Sequence, residues 1–567
     1  MAETMPMRFN IIKQIMENPE GLNPQQVYER ILPYYKGEKQ CSEKEIDAQL
    51  MSLKGTGLVE ITHTTERSDG FLESTYVMTA YGRERSENTL VNIYKELKMS
   101  HILKKKDLET IYEKVIEILE QIGITFGTEK ALELLGKNGA KIEGSKAFIP
   151  KALLERCLES LPKYDYENQG PKRITATSPF GMVPTILDDE TGTYRSGTVD
   201  DVVKMYQLTQ TSDLYECASP CVIDPVDSDA EDLYVGQIAM LLRYSDKWPS
   251  VGIRATAQNS KDGNLYQSAR KSIRLIREFY DVWDEPVMGQ SICPMSPLAY
   301  DWECLDNLTA AIEEKQNIIL CPCSLTGLTG PASLLGLVIH DIAISLAGIV
   351  YAQLLSPGID VSICSCSGAT DMRSIQPAYG TVECVYIEGM LYEFAKYMQI
   401  GCTICGALSD SAKVDYQAGA ESMLTTLMPY YASEINEVWC YPGLMSAWYC
   451  GSFEKLILDE EMMRNVNRAL KGVNLKLDPK LMRSLTEAQE KNTFLQGKTP
   501  SAYRKDHYLT KIFSKYGVSQ DISPEKTDIR LKVKREIESR INQYQAPEMT
   551  KKQKEILQPH LPSRCSF

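Results

Sequence analysis

Large aromatic side chains are concentrated in the stretch EVWCYPGLMSAWYCGSFEK, which begins at Glu437. Two of the five tryptophans, Trp439 and Trp448, lie in this stretch, and Tyr441 lies between them. Most large aromatic residues of a folded protein pack in its core. Several ring faces can also surround a permanent cation, with an attraction of about 0.5–2 kcal/mol per ring. The stretch therefore permits two interpretations, core packing or a cation-binding site.

Charged and polar residues follow two consecutive strand-like segments upstream of this stretch. They are Asp371, Arg373, Tyr379 and Glu383 after the first segment and Asp410 after the second. The carboxyl ends of parallel strands meet at one edge of a sheet, which is where α/β enzymes bind their ligands. A solvated loop is the alternative for either segment alone, but the repetition at successive strand ends favours a ligand site.

A third candidate for a ligand site is the loop of small residues TGLTGPASLLG (326–336), which precedes a predicted helix. Pro331 marks the start of that helix. The backbone amides around Gly327 and Gly330 are then placed to meet an anionic or carbonyl group at the helix N-terminus. An ordinary strand–helix turn is the alternative, and the loop by itself does not exclude it.

Cysteines also recur near the predicted strand ends. They are Cys221, Cys293, Cys323, Cys366, Cys405 and Cys440. Thiolates on neighbouring strands can converge on one zinc ion. Alternating cysteines on a buried strand more often serve as small hydrophobic residues. We therefore predict no metal site from the sequence and keep zinc as the alternative.

Histidine is scarce in this chain of 567 residues. Of its five histidines, His340 alone lies inside the large central region. A Ser-His-Asp triad, a histidine-rich metal site or a histidine acid–base pair therefore lacks its parts. Any chemistry in this region must need little proton transfer.

Composition restricts the partners and the compartment. The formal net charge is −14, which argues against general affinity for nucleic acid or anionic membranes. The residues MAETMPMRFN lack the pattern of a secretion signal, and sixteen scattered cysteines indicate reduced thiols, so we expect a cytoplasmic protein. The most apolar segment contains His340, Asp341 and Gln353, which predicts a buried helix and no membrane span.

The elements that must position these residues follow a repeating order. Between residues 181 and 475, short apolar strands alternate with segments of helical length. Seven or eight such repeats predict a TIM (β/α)8 barrel, because no glycine-rich nucleotide turn follows the first strand. Residues 96–180 predict a helical extension before the barrel, and residues 476–567 predict a charged helical segment after it.

Residues 1–90 predict a separate winged helix-turn-helix module, with three helices followed by a β-hairpin. Such modules often bind DNA. This one carries ten Lys and Arg against fourteen Asp and Glu, and its third helix carries Glu43, Glu45 and Asp47 where DNA phosphates would lie. A protein-docking or dimerising module is therefore the favoured interpretation.

Several longer motifs resemble the trimethylamine–corrinoid protein methyltransferase (MttB) superfamily. The resemblance runs in order from about residue 100 to about residue 515, and the N-terminal module lies outside it. The motifs that carry it are TGLTGPASLLGLVIHDIAISLAGIVYAQLLSPG, DMRSIQPAYGTVE, SDSAKVDYQAGAES and GSFEKLILDEEMM.

The resemblance implies a TIM-barrel enzyme that moves a methyl group from an amine to the cobalt of a corrinoid carried on a partner protein. Founding members of the superfamily use pyrrolysine to demethylate trimethylamine, and this chain contains none. Relatives without pyrrolysine demethylate quaternary amines such as glycine betaine, proline betaine or carnitine. We therefore expect a quaternary-amine methyltransferase with a cognate corrinoid protein as its partner, and a homo-oligomer.

This chemistry agrees with the shortage of histidine. A quaternary ammonium releases a neutral tertiary amine, so the transfer needs orientation and water exclusion and no general acid. We assign the cation to Trp439, Tyr441 and Trp448, with Tyr379 and Glu383 as catalytic candidates. The further assignments are Arg254 and Arg373 to a substrate carboxylate, His340 to substrate binding, and Gly327, Gly330, Asp371 and Asp410 to cofactor contact.

Two other functions remain open at this point. The strand-end cysteines are compatible with a zinc-dependent methyltransferase that passes methyl groups between a thiol or alcohol and a corrinoid. The N-terminal module is compatible with a transcriptional regulator whose barrel senses an amine, although the acidic third helix argues against DNA binding.

Overall fold

The computed structural model describes residues 7–35, 41–67, 70, 72–89, 101–177, 179–220, 222–252, 255–473, 475–495, 501–516 and 522–567. The chain divides into two compact units, Met1–Met99 and Ser100–Phe567, here called unit 1 and unit 2. Two residues that the sequence singles out, Arg254 and Cys221, lie outside the described residues.

Unit 1 contains helices followed by an antiparallel hairpin, in the order that the sequence predicts. Its elements are α1 (Met7–Glu17), α2 (Pro24–Tyr35), α3 (Glu43–Gly55), β1 (Val59–Glu66), β2 (Leu72–Met78) and α4 (Ala80–Thr89). Helix α3 begins at Ser42, whose hydroxyl accepts a hydrogen bond from the Glu45 amide at 3.3 Å. Fully buried aliphatic side chains, including Ile11, Val27 and Leu50, form its core.

Unit 2 is a mixed α/β fold. Its strands are β3 (Ile124–Phe126), β4 (Lys141–Glu143), β5 (Lys146–Phe148), β6 (Arg173–Ala176), β7 (Thr185–Leu187), β8 (Tyr194–Ser196), β9 (Cys217–Ala218), β10 (Trp248–Pro249), β11 (Val251–Gly252), β12 (Gly289–Ile292), β13 (Ala299–Tyr300), β14 (Asn317–Leu320), β15 (Val361–Ile363), β16 (Ala369–Asp371), β17 (Gln376–Ala378), β18 (Cys405–Gly406), β19 (Glu437–Cys440), β20 (Leu444–Met445) and β21 (Cys450–Gly451).

The helices of unit 2 alternate with these strands through its central part. They are α5 (Lys105–Glu117), α6 (Glu129–Lys137), α7 (Lys151–Ser160), α8 (Val199–Gln210), α9 (Leu233–Tyr244), α10 (Leu265–Tyr280), α11 (Trp302–Glu313), α12 (Leu334–Leu355), α13 (Val382–Met398), α14 (Tyr416–Leu427), α15 (Pro429–Ala432), α16 (Phe453–Leu470), α17 (Leu481–Lys491), α18 (Ser501–Asp506), α19 (Pro524–Thr527), α20 (Ile529–Gln543) and α21 (Lys551–Leu557). A π-helix, Ile118–Ile122, continues α5.

The central strands pair in parallel. Strand β12 lies between β11 and β14, and β15 pairs with β14. Strand β19 lies between β18 and β6, and β10 pairs with β9. Isolated parallel bridges join Ala176 to Tyr215 and Ile363 to Cys402. Because these strands pair in parallel, their carboxyl ends share one edge of the structure.

Strand β6 lies in the segment 96–180, which the sequence assigns to a helical extension. Its four residues, RITA, carry too short an apolar run to indicate a strand by themselves. The strand forms because Glu437–Cys440, far along the chain, pairs with it residue by residue.

Helix α12 is long and apolar enough for a membrane span by length and composition alone, and 78% of its most apolar window is buried inside the protein. Its polar residues have partners within the fold. The Asp341 carboxylate accepts a hydrogen bond from the Ser324 hydroxyl at 2.8 Å, and the Gln353 side-chain oxygen accepts one from the Gly358 amide at 2.8 Å. This arrangement agrees with the predicted buried helix.

Close packing against α12 generates a testable prediction of stability. A Cβ atom added at Gly348 would lie 2.1 Å from the Tyr300 hydroxyl and 2.8 Å from Leu320 Cδ1. We expect Gly348→Ala to lower the free energy of unfolding by about 1–3 kcal/mol through overpacking. Thermal and urea unfolding of unit 2 measure the change.

Gly419→Ala is the matched control. Gly419 is exposed on α14 and has no heavy atom within 4 Å of the added Cβ. Alanine is the better helix former by about 1 kcal/mol, so this variant is expected to be neutral or slightly more stable than the parent. Equal effects of the two substitutions would contradict the packing described for α12.

Candidate functional site

Alternation along the central strands sorts their side chains into layers. Side chains two residues apart on a strand face the same side of its sheet. Residues near the amino ends line a cavity of ≈ 730 Å³; they include Ile319, Ser362, Thr403 and Trp439. The residues two positions later, nearer the carboxyl ends, are Cys321, Cys364, Cys405 and Tyr441. The second layer therefore consists of thiols and a phenol.

Trp439 is separated from the other aromatic residues of its stretch. It lines the amino-end cavity together with Tyr164 and Trp248. The sequence assigns Trp439 to the carboxyl edge with Tyr441 and Trp448, and the structure does not bring it there. The reason is geometric, because a step of two residues along a strand spans about 6.6 Å.

Three aromatic residues do come together at the carboxyl edge: Tyr379, Tyr441 and Trp448, here called the aromatic cluster. The Tyr441 and Trp448 ring centroids are 4.9 Å apart, and those of Tyr379 and Trp448 are 6.4 Å apart, both pairs in edge-to-face geometry. Burial raises the pKa of the Tyr379 and Tyr441 hydroxyls, so both are neutral at physiological pH. The cluster combines uncharged ring faces contributed by two segments of the chain.

The backbone at Trp448 is strained. Ser446, Ala447 and Trp448 have φ values of 49°, 52° and 73°, in the left-handed region. Each such residue costs about 1–2 kcal/mol when it is not glycine. The amides of Ser446 and Ala447 donate to the carbonyls of Ser411 and Ser409, both at 3.1 Å. The loop after β18 therefore holds this turn, and with it the ring of Trp448.

The Trp448 ring lies directly over Gly181. A Cβ atom at Gly181 would be 2.4 Å from Trp448 Cζ3, so only glycine fits there. The Trp448 Nε1–H is buried and has no hydrogen-bond partner among the described residues. An unpaired buried donor costs about 1–3 kcal/mol, which sets this nitrogen apart from the other polar groups described here.

A buried ion pair supports the start of the hairpin that carries Trp448. Lys455 Nζ lies 2.5 Å from Asp459 Oδ2, and both side chains are buried. The same carboxylate accepts a hydrogen bond from the Gly443 amide at 2.8 Å, and Lys455 Nζ also donates to the Ser422 hydroxyl at 2.7 Å. The motif GSFEKLILDE thus contributes to the site through positioning.

Asp410 positions Tyr379 in a similar way. Its two carboxylate oxygens accept hydrogen bonds from the Tyr379 and Gly380 amides, both at 2.8 Å. Burial raises the pKa of Asp410 to about 6. The Asp410 amide in turn donates to Glu421 at 2.8 Å. Glu383 is exposed in the first turn of α13, close in sequence to Tyr379.

The loop after β14 and the hairpin β16–β17 lie side by side and form what we call the rim. The Thr326 amide donates to the Gly368 carbonyl, and Gly327 has a φ of 71°. Asp371 and Arg373 form an ion pair of 2.8 Å on the rim. The Arg373 side chain is 92% exposed, and its hydrogen bond lowers the pKa of Asp371 to about 2. The exposed apolar residues of the rim are Leu328, Met372 and Ile375.

His340 is buried with both ring nitrogens engaged. Its Nε2 accepts from the Leu298 amide at 3.3 Å, so the proton is assigned to Nδ1, which lies 3.0 Å from Asp341 Oδ1. The Leu298 contact joins α12 to the loop after β12, and the hydrogen bond from Ser324 to Asp341 joins it to the loop after β14. Because both ring nitrogens contact the protein, the structure does not place His340 as a substrate ligand at the aromatic cluster.

The cysteines near the strand ends form a continuous group of thiols. The Sγ atoms of Cys321 and Cys366 are 3.2 Å apart, and those of Cys364 and Cys405 are 3.7 Å apart. Cys440 points the other way, with its Sγ 3.7 Å from the Thr426 hydroxyl on α14. The sequence recognises the strand-end positions but gives no indication of which thiols converge.

Two buried residues of this region, Gly181 and Glu388, are absent from the sequence-based assignment. Glu388 is fully buried behind the thiols, accepts a hydrogen bond from the Cys405 amide at 3.2 Å, and has its pKa raised well above the usual value by burial. A charged residue in the apolar stretch of α13 is the signal that points to it.

Comparison with known proteins agrees with these observations. A proline betaine:corrinoid methyltransferase of Eubacterium limosum is 37% identical over 480 residues, covering 82% of this chain and 97% of that protein. An L-carnitine:corrinoid methyltransferase of the same organism is 32% identical, covering 82% and 97%. A glycine betaine methyltransferase of Desulfitobacterium hafniense is 27% identical, covering 73% and 86%. The family model described as trimethylamine methyltransferase (MTTB) matches residues 78–565, and the chain belongs to that family.

Proposed function

We propose that the protein is an enzyme that transfers a methyl group from a betaine-like quaternary amine to the corrinoid of a separate partner protein. The observation that carries the proposal is the aromatic cluster of Tyr379, Tyr441 and Trp448 at the carboxyl edge of the parallel strands. The relatives described above, whose names specify quaternary amines and, for two of them, a corrinoid, support the same function.

The proposal includes a (β/α)8 barrel as the scaffold. In support, the parallel pairings and bridges lead from β6 through β9, β10–β11, β12, β14, β15, β18 and β19 and return to β6 within the described residues. In such a barrel, ligands bind at the carboxyl ends of the strands. We propose a winged helix for unit 1, with protein docking as its function because its third helix is acidic.

The aromatic cluster is proposed to bind the quaternary nitrogen. Ring faces attract a permanent cation. Unlike a carboxylate, a ring face loses little hydration when water is excluded from the site. Tyr379 and Tyr441 are neutral by burial, which keeps the faces apolar. Glu383, exposed in the neighbouring first turn of α13, adds a negative charge near the entrance. Together they suit a cation that cannot accept or donate a proton.

A betaine also carries a carboxylate, and the buried Trp448 Nε1–H is proposed to donate to it. This donor has no partner among the described residues. Arg373, which the sequence also assigns to the substrate carboxylate, forms an ion pair with Asp371 on the exposed rim. Arg254 stays a sequence-based candidate.

When bound, the corrinoid supplies a cobalt(I) nucleophile that accepts the methyl group. The rim fits such a partner, because Leu328, Met372 and Ile375 expose apolar side chains beside Gly327. No heavy atom lies closer than 3.8 Å to a Cβ built on Gly327, so the backbone there is open to close approach. The residues of this chain hold the amine, aim its N–CH₃ bond at the rim and exclude water.

We propose a cytoplasmic homo-oligomer that binds neither nucleic acid nor membranes. The net charge of −14 supports the absence of nucleic-acid and anionic-lipid partners. The burial of α12 supports a core helix in place of a membrane span.

The substrate prediction is tested with reduced free cobalamin and a panel of methylated amines. We expect proline betaine, carnitine or glycine betaine to give methylcobalamin, which is followed by absorbance, and trimethylamine to give none. A quaternary amine leaves as a neutral tertiary amine, whereas trimethylamine is mostly protonated at neutral pH and lacks an activating residue here. Transfer from trimethylamine at a rate similar to that from any betaine would refute this prediction.

The aromatic cluster is tested with Trp448→Ala, with Trp439→Ala as the matched control. Loss of one cation–π contact of about 0.5–2 kcal/mol raises KM about 2- to 30-fold for the Trp448 variant. Trp439 lines the opposite cavity, so its variant is expected to keep the parental KM while its unfolding temperature falls. Steady-state kinetics and thermal unfolding give the two readouts.

A neutral isostere of the amine, with carbon in place of nitrogen, separates charge recognition from packing. As an inhibitor it should bind the parent less tightly than the amine does. The Trp448 variant should lose less affinity for it than for the amine, because only the proposed contact between Nε1–H and the carboxylate is removed. A raised KM for Trp439→Ala with an unchanged one for Trp448→Ala would place the cation site at the amino ends of the strands.

The independence of unit 1 is tested by a chain that begins at Ser100. We expect it to fold and to methylate free cobalamin at the parental rate, because each of the two units is compact by itself. The start must keep Ile102 and Leu103, whose amides donate to Glu393 at 2.8 and 2.7 Å. A folded but inactive product would show that unit 1 completes the site.

A further inference from the structure

The thiols at the carboxyl edge contain a group with the geometry of a metal site. The Sγ atoms of Cys293, Cys321 and Cys323 all lie within 4.8 Å of one another. Tetrahedral zinc with Zn–S distances of about 2.3 Å separates its sulfur ligands by about 3.8 Å, so small side-chain rotations bring all three onto one ion. From this convergence we propose that Cys293, Cys321 and Cys323 bind a thiophilic divalent cation, Zn²⁺.

The three ligands come from two strand ends. Cys293 directly follows β12, and Cys321 directly follows β14, which pairs with β12 in register. Cys323 lies two residues after Cys321, and its Sγ lies 3.5 Å from the Cys321 carbonyl oxygen. Pro322 between them restricts the backbone, so the CPC segment holds its two thiols in place before any ion binds.

Burial decides how an ion would reach the site and what completes its coordination. Cys321 is buried, Cys293 is partly buried and Cys323 is exposed, so the site opens to solvent at Cys323. Three protein ligands leave a fourth position, which water fills at this open side. Each ligand thiol releases its proton to solvent when the ion binds.

The surroundings of the three thiols favour a bound cation over three uncharged thiols that only pack together. Cys366 Sγ lies only 3.2 Å from Cys321 Sγ, which places a fourth thiol beside the group. Buried thiolates without a cation are costly, and zinc removes that cost.

The test measures metal content in the full chain and does not depend on methyl transfer. Protein purified with a reductant and Zn²⁺, then freed of excess metal, is expected to hold about one zinc per chain by mass spectrometry of the metal. Cys323→Ser and Cys293→Ser should weaken zinc affinity at least about 100-fold, since even outer-sphere partners of a metal contribute 10- to 100-fold.

Cys440→Ser is the matched control. Cys440 is also a buried cysteine at a strand end, but its Sγ contacts Thr426 on α14 and faces away from the group. It should keep the parental zinc content. Cys323 is exposed, so its substitution leaves the fold intact, which circular dichroism verifies.

Cobalt(II) substitution gives a second readout. Thiolate-to-cobalt charge-transfer absorption scales with the number of sulfur ligands, so Cys323→Ser should lose about one third of its intensity. The proposal is overturned if the parent holds no stoichiometric zinc, if Cys323→Ser keeps parental affinity, or if Cys440→Ser loses the ion equally. A protein that binds zinc but fails every methyl-transfer test would leave this site standing and refute the proposed function alone.

Discussion

The two-residue period of the parallel strands is the constraint on which the rest of the site depends. Every second side chain of a strand faces the same side, so a single register decides what the strand ends present. Ile319, Ser362 and Thr403 line one cavity, and the cysteines two positions later converge above it. A shift by one residue would turn Cys440, which now faces α14, toward the centre.

The loops that follow the strands supply part of the site, and their conformation costs free energy. The three left-handed residues Ser446–Trp448 are strained, and the Trp448 Nε1–H is buried without a partner in the described part of the chain. Backbone hydrogen bonds from the loop after β18 and the ion pair of Lys455 and Asp459 hold the hairpin against that strain. Strain of this kind persists where surrounding structure determines it and is concentrated at functional sites.

Carboxylates at this edge act mainly through position. Asp410 uses both oxygens on the Tyr379 and Gly380 amides, and Glu421 in turn fixes the Asp410 amide. His340 is likewise engaged at both nitrogens, with Nε2 accepting from the Leu298 amide and Nδ1 lying next to Asp341 on its own helix. A centre whose polar groups are largely committed to the protein agrees with a reaction that transfers no proton, as the scarcity of histidine indicates.

The sequence by itself determined the order of elements, the apolar core helix and the family, because periodicity, capping residues and ordered motifs are local properties of the chain. Helices alternate with strands through the central repeat as the sequence predicts, and Ser42, a residue type that favours helix starts, caps α3. Local patterns also marked the strand ends, where the candidate residues are found.

Only the tertiary structure decided which of those residues meet. Trp439 and Tyr441 are two positions apart in sequence yet belong to different layers, and Tyr379 reaches Trp448 from a distant segment. The short strand β6 exists through its pairing with β19. Contacts between distant segments depend on register and packing, which a single chain read locally does not specify.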